Sequence, residues 1–285
     1  MSLLFIDTSC DLSDEQIAKM GVECIRVPFK YDDKKVHYEK NYDYARLNSK
    51  CRKGIEITPY YMTTKDYIKY LEEPLKNGDD ILYLHSSACM LTTDSLVEAQ
   101  KQLLEMYPNR RIVLVDSCNF SVGTGVLAYL IALKFIASAT IDEIDEYLFE
   151  IKNQYQLFML LDSVDTIVAN QIISEEKGHG FTLSIKPIIT LDIDGKCVIN
   201  DKVNGRKKGI LKLVEYIRMY GENVVDYPIN IVYSGNIQEA KDLQEKLITY
   251  FGKEANIYLQ QMTPSNMALV GSGALGLCFH LRKKM

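Results

Sequence analysis

The sequence lacks the patterns that mark several large classes of catalytic and binding protein. Its four histidines have no metal-ligand spacing, and its seven cysteines include no CxxC pair. It contains neither a GxSxG nucleophile motif nor a GxxxxGK[ST] phosphate loop. We therefore expect no metal site and no cofactor. The odd number of cysteines predicts reduced thiols in a cytoplasmic protein.

Long uncharged apolar runs and a strong net charge are also missing. The apolar segment 122–139 is interrupted by Lys134, so it predicts a core helix and not a membrane span. The first residues have no basic region followed by a long apolar one, and we expect no signal peptide. A net charge of −5 gives no general electrostatic attraction to nucleic acid. We expect neither a nucleic-acid partner nor stable membrane insertion.

One glycine motif resembles a nucleotide-binding fingerprint. Gly271–Gly276 fits the pattern GxGxxG, but only nine residues follow it. The dinucleotide version needs a strand before the motif, a helix after it and an acidic residue about 20 positions later. We therefore expect these glycines to allow close backbone approach before a core strand.

The order of apolar segments indicates the fold class. Short strand-like and helix-like segments alternate up to about residue 155, which predicts a doubly wound α/β domain with a parallel sheet over residues 1–155. Residues 156–285 predict an α+β domain with a mixed or antiparallel sheet, including a hairpin at Asp194-Gly195.

Five further expectations concern local structure. Residues Val22–Phe29 alternate well enough to predict one strand, and Asp32-Asp33 predicts a turn. Residues 41–54 predict a polar helix, and Lys177–Gly180 predicts a loop. No helix is expected between the strand 256–261 and the glycine motif.

Hydroxyl side chains follow three predicted strands. Thr8 and Ser9 follow the first, Ser86 and Ser87 the second, and Ser117 the third. In an open α/β sheet, ligands bind beyond the carboxyl ends of the strands, so these residues predict a shared polar crevice. Each hydroxyl could instead cap the next helix or stabilise its own turn.

A basic cluster spans Lys202–Lys208 at a predicted strand-to-helix turn. The candidates for partner docking are Lys202, Arg206, Lys207 and Lys208. The cluster is either a docking patch for an anionic partner or phosphate, or an ordinary solvated turn.

With these segments placed, the whole chain resembles the DegV family of bacterial fatty-acid-binding proteins. The resemblance rests on short motifs in the family's order and spacing, each weak alone. They are Asp7-Thr8-Ser9 with Asp11-Leu12, Ser86-Ser87, Asp116-Ser117 with Gly123 and Gly125, Leu161-Asp162-Ser163, Ile185-Lys186-Pro187-Ile188, Asp194-Gly195, Lys202–Lys208 and Gly273–Gly276.

The resemblance implies a non-enzymatic lipid carrier. By this resemblance, a long acyl chain would lie in a ligand cleft between the two domains, with its carboxylate held by hydroxyls. The protein would present this fatty acid to a separate fatty acid kinase. The head-group candidates are Thr8, Ser9, Thr58, Ser86, Ser87, Thr92 and Ser117.

Four positions depart from the family pattern where the head group is expected. Met90 and Leu91 replace a serine and a glycine, Ile172 replaces an arginine, and Leu269 replaces a histidine. A buried carboxylate needs polar partners. The ligand could therefore be a neutral or differently oriented lipid. Alternatively, groups such as Thr58, Ser87 and Thr92 could hold a carboxylate, or binding could have been lost.

Two other functional classes stay open at this point. Ser87 and His85 could serve a small-molecule hydrolase or transferase, although sequence neighbours rarely form a nucleophile–base pair. The chain could also be a ligand-free regulatory module that docks through Lys202–Lys208. The leading hypothesis is lipid binding with an altered mouth.

Overall fold

The computed structural model describes residues 2–31, 35–38, 43–51, 53 and 55–281. The strands are β1 (Ser2–Asp7), β2 (Glu23–Ile25), β3 (Phe29–Tyr31), β4 (Lys35–His37), β5 (Ile57–Pro59), β6 (Asp80–His85), β7 (Ile112–Asp116), β8 (Tyr155–Leu160), β9 (Ile185–Leu191), β10 (Cys197–Asn204), β11 (Ile229–Tyr233), β12 (Ile257–Gln261) and β13 (Leu275–His280). The helices are α1 (Asp14–Met20), α2 (Tyr44–Cys51), α3 (Thr64–Lys76), α4 (Asp94–Met106), α5 (Val122–Ile136), α6 (Ile141–Ile151), α7 (Asp165–Ala169), α8 (Glu175–Gly178), α9 (Arg206–Tyr220), α10 (Ile237–Phe251) and α11 (Pro264–Val270).

The first sheet is parallel and has the strand order β2-β1-β6-β7. Leu71 of α3 and Leu96 of α4 pack on one face, and Val126 of α5 packs on the other. The predicted doubly wound parallel sheet is therefore confirmed. The chain passes from β1 to β2 on one side of the sheet and from β6 to β7 on the other. The crevice between β1 and β6 is therefore the topological switch point of the sheet.

The second sheet is mixed, as expected, with the order β10-β9-β8-β13-β11-β12. Only its pair β11–β12 is parallel; the other pairs are antiparallel. The predicted hairpin is confirmed as β9–β10. A third, antiparallel sheet has the order β4-β3-β5. Within the described residues, no helix combines the length and apolar character needed to cross a bilayer.

The largest apolar cluster joins the two larger sheets. It includes Leu4 and Leu84 from the first sheet, Met159 and Ile189 from the second, and Leu269 from α11. Two smaller clusters lie on the outer faces of the sheets. The division of the chain near residue 155 stays a prediction, because the main cluster extends across it.

The single strand expected over Val22–Phe29 is wrong. The chain forms β2 in the first sheet and then β3 in the small sheet, with Pro28 between them. Proline has no backbone N–H to donate, which interrupts a ladder. The neighbouring Val27 N–H is taken out of the ladder as well, because it donates to Thr8 Oγ1 at 3.0 Å.

Two short helices were also missed. The predicted loop 177–180 begins inside α8, and α11 occupies a segment with no expected helix. All seven residues of α11 are buried, including the polar Ser265 and Asn266, so no solvent-facing polar stripe marks a helical period. The expected helix at 41–54 is α2, and the turn at Asp32-Asp33 lies outside the described residues.

A buried carboxylate fastens the N-terminal half of the chain to α11. Asp11 is 1% exposed and accepts hydrogen bonds from Thr263 N at 2.6 Å and Thr263 Oγ1 at 2.7 Å. It also accepts one from Ser121 Oγ. Burial raises the pKa of Asp11 to about 6 from 3.8, although these hydrogen bonds act in the opposite direction.

The raised pKa predicts a pH dependence of stability. The folded protein binds a proton at Asp11 more tightly than the unfolded chain does, so the contribution of this group is full below about pH 4 and is lost as the pH rises through about 6. Between pH 4 and pH 7 the loss should be about 2 kcal/mol. We therefore expect the unfolding free energy of the wild type, minus that of Asp11→Asn, to fall by this amount as the pH rises from 4 to 7.

Urea unfolding at several pH values measures this difference. Asp145→Asn is the matched control, because Asp145 is exposed on α6. A difference between wild type and Asp11→Asn that does not change with pH would contradict the assignment.

Candidate ligand site

Hydroxyl groups from the ends of β1, β6 and β7 meet in one buried network. Ser9 Oγ lies 2.7 Å from Ser86 Oγ, and Ser86 Oγ lies 3.3 Å from Thr124 Oγ1. Thr124 Oγ1 is also 3.0 Å from Ser117 Oγ. The structure thus brings together three of the head-group candidates through Thr124, which was not among them. Its position as a polar residue in the first turn of the apolar helix α5 was an available signal.

These hydroxyls are used within the protein. Thr8, Ser9, Ser86 and Ser117 are at most 2% exposed. Thr8 accepts the Val27 N–H as described above, and Ser117 Oγ donates to Asn119 O at 3.1 Å. The network therefore fixes the three strand-end loops relative to one another.

Ser87 is covered by the tip of the β9–β10 hairpin. Its hydroxyl donates to Gly195 O at 2.7 Å and accepts from Cys89 N at 3.2 Å. Gly195 has a φ of 77°, and a side chain there would collide with Ser87 Oγ. The nearby His85 Nδ1 lies 2.8 Å from Ser86 O. The hydrogen bonds of Ser87 thus run to the hairpin and to its own turn.

Three of the four altered positions lie in apolar surroundings. Met90 lines a small apolar cavity of about 10 Å³ together with Phe120, Leu157, Met159 and other residues from both larger sheets. Ile172 packs against the main apolar cluster, and Leu269 is buried within it at 1% exposure. Leu91 lines a different space, the crevice at the switch point.

Thr58 lies in a larger cleft between the two halves of the chain. This cleft has a volume of about 380 Å³ and is lined by β5, α7 and α11. Thr58 is exposed, and Met267 connects the cleft wall to the main apolar cluster. Asn170 Nδ2 donates to Ala268 O at 2.8 Å, so it stabilises the last turn of α11.

Thr92 lies in the crevice at the switch point between β1 and β6. The crevice has a volume of about 30 Å³ and also contains Asp7, Tyr67 and Tyr83. The hydroxyl of Tyr83 donates to Asp7 Oδ2 at 2.6 Å. Burial, and secondarily the negative charge of Asp7, raise the pKa of Tyr83 well above its usual value, so its hydroxyl stays a neutral donor.

The basic cluster divides into paired and exposed side chains. Arg206 donates to Glu239 Oε2 at 3.0 Å and to Asp162 Oδ1 at 3.2 Å. Lys202 Nζ lies 4.4 Å from the centre of the Phe181 ring. Lys207 and Lys208 are exposed in the first turn of α9. Three lysines of the cluster are therefore exposed, with Lys202 on β10 and the other two at the start of this helix.

Proteins similar to this chain are found by sequence and by structure. It is 28% identical to a DegV domain-containing protein of Clostridium perfringens over 251 residues, 86% of each chain. Its fold matches DegV of Bacillus subtilis, described as a fatty acid binding protein, with a TM-score of 0.82 and 18% identity over 98% of this chain and 99% of that one. A DegV-family protein from Thermus thermophilus, described for its fatty acid binding, gives a TM-score of 0.80 at 19% identity with the same coverage.

The family assignment follows from a match over nearly the entire sequence. A family model described as "Uncharacterised protein, DegV family" matches residues 3–282. The structural matches cover nearly the same length, and their TM-scores indicate the same overall fold. The chain belongs to the DegV family.

Proposed function

We propose that this protein binds a long-chain acyl lipid, a fatty acid or a close analogue, between its two halves. The observation that carries the proposal is the match to the family over its full length, because relatives of the same fold are described as fatty acid binding proteins. The main apolar cluster, which joins the two larger sheets, supplies the apolar surroundings that an acyl chain needs.

Methionines give this core room to adapt to an acyl chain. Met90, Met159, Met262 and Met267 all belong to the main cluster, and they extend from the wall of the Thr58 cleft to the small apolar cavity. That cavity holds at most about one water-sized group, so an acyl chain must displace side chains. Methionine side chains are unbranched and flexible, so the free-energy cost of displacing them is small. Each methylene buried there contributes roughly 0.8 kcal/mol.

The head group of the lipid is assigned to the Thr58 cleft. Thr58 is exposed there, whereas Ser9, Ser86, Ser87 and Ser117 already make hydrogen bonds within the protein. A polar head at this cleft would leave the hydroxyl network intact and place the chain against Met267.

The proposal includes a carrier role without catalysis. No hydrogen bond is found between His85 and Ser87 in the described part of the chain, and a hydrolase would need such a base–nucleophile contact. The exposed Lys207 and Lys208 would dock an acidic surface of a fatty acid kinase, which would act on the presented lipid. A cytoplasmic location belongs to the same proposal.

Filling the small apolar cavity should weaken acyl-chain binding. We expect Met90→Phe to lower the affinity for a fluorescent long-chain fatty acid at least tenfold, because excluding two or three methylenes costs about 2 kcal/mol. Met20→Phe is the control, since Met20 lies in the same cluster on α1 but does not line the cavity. Equal affinities for the wild type and Met90→Phe, with both folded, would contradict this path.

Removing the hydroxyl from the assigned head-group cleft should also weaken binding. Thr58→Val keeps the shape of the side chain but deletes a hydrogen bond to a charged or polar head, so we expect an affinity about tenfold lower in the same titration. Thr249→Val, on the exposed face of α10, is the control. An unchanged affinity for Thr58→Val would place the head group elsewhere.

A further inference from the structure

The crevice at the topological switch point has features of a second, separate binding site. It lies at the carboxyl edge of the parallel sheet, where β1 and β6 adjoin and where open α/β sheets place their ligands. The larger Thr58 cleft is built from other segments, namely β5, α7 and α11. The crevice and the cleft have no lining residue in common.

The base of this crevice carries a negative charge with no cationic partner. Asp7 is 6% exposed, and its carboxylate accepts hydrogen bonds from Ser9 N at 2.8 Å, from Ser9 Oγ and from Tyr83 Oη. All three donors are neutral, and no Lys, Arg or His side chain among the described residues forms an ion pair with Asp7. Burying a charge is costly unless an opposite charge or strong donors offset it.

The walls of the crevice are aromatic and rich in hydroxyls. The rings of Tyr67 and Tyr83 have their centres 6.5 Å apart and are tilted by 51°. The Tyr67 hydroxyl has no hydrogen-bond partner among the residues that the structure describes, although its side chain lines the crevice. Aromatic faces beside a carboxylate are the combination that attracts ammonium groups through cation–π and ionic contacts.

We propose that this crevice binds the ammonium group of a small organic amine. The group would donate to Asp7 Oδ and to Tyr67 Oη while contacting the tyrosine rings. The open space of about 30 Å³ suits a group the size of one or two water molecules. A carboxylate head group is disfavoured here, because it would lie beside the unpaired negative charge of Asp7.

Asp7 also has a structural role, which the test must distinguish from its role in ligand binding. It is the N-cap residue of the single helical turn Thr8–Cys10, where its side chain accepts the Ser9 N–H. Asparagine caps helical turns as well as aspartate does. Asp7→Asn should therefore keep the turn while removing the charge.

Titration with propylammonium chloride, followed by NMR of protein labelled on its tyrosine rings, tests the proposal. We expect saturable shifts of the Tyr67 and Tyr83 signals that 1-propanol, butyrate and matched sodium chloride do not produce. Asp7→Asn and Tyr67→Leu should each weaken binding at least tenfold. Tyr129→Leu, at an exposed position on α5, should not.

The same titration can overturn the proposal. An ammonium site would be excluded if propylammonium causes no shifts or if 1-propanol causes the same shifts. It would also be excluded if the shifts persist unchanged in folded Asp7→Asn. Repeating the titration with lipid-loaded protein separates the two sites: propylammonium binding that is lost when fatty acid is bound would show that the crevice is part of the lipid site.

Discussion

A buried carboxylate, Asp11, makes a direct polar contact between the N-terminal half of the chain and α11. Asp11 lies shortly after the first strand and accepts two hydrogen bonds from Thr263, the N-cap residue of α11. These bonds join segments that are 252 residues apart in the sequence. Asp11 is almost completely buried, and the partners of its carboxylate among the described residues are neutral hydrogen-bond donors. Because α11 forms one wall of the Thr58 cleft, the position of that cleft depends on the same contact.

The fold and the convergence of the strand-end hydroxyls could be anticipated from the sequence. Apolar runs ending in Thr8, Ser86 and Ser117 indicate parallel strands whose ends share an edge. The role of Thr124 and the helix α11 could not be anticipated in the same way. A helix that is buried on all sides carries no amphipathic period, and its signals were limited to Thr263 as a cap and Pro264 at the first position.

The same limit explains the division of roles among the predicted site residues. Sequence spacing places Ser87 at a strand end, but only the three-dimensional structure shows that Gly195 closes over it. Likewise, Met90 and Leu91 are neighbours in sequence but line different spaces, one apolar and one polar. Long-range contacts of this kind leave no local pattern in the chain.

The central claim is that the core between the two sheets accommodates an acyl chain. Mass spectrometry of the organic extract from freshly purified protein, compared with the native mass of the same sample, tests it most directly. The account expects one long-chain acyl lipid per protein chain, lost on extraction. A protein that is purified empty and also fails to take up added long-chain fatty acid would contradict it.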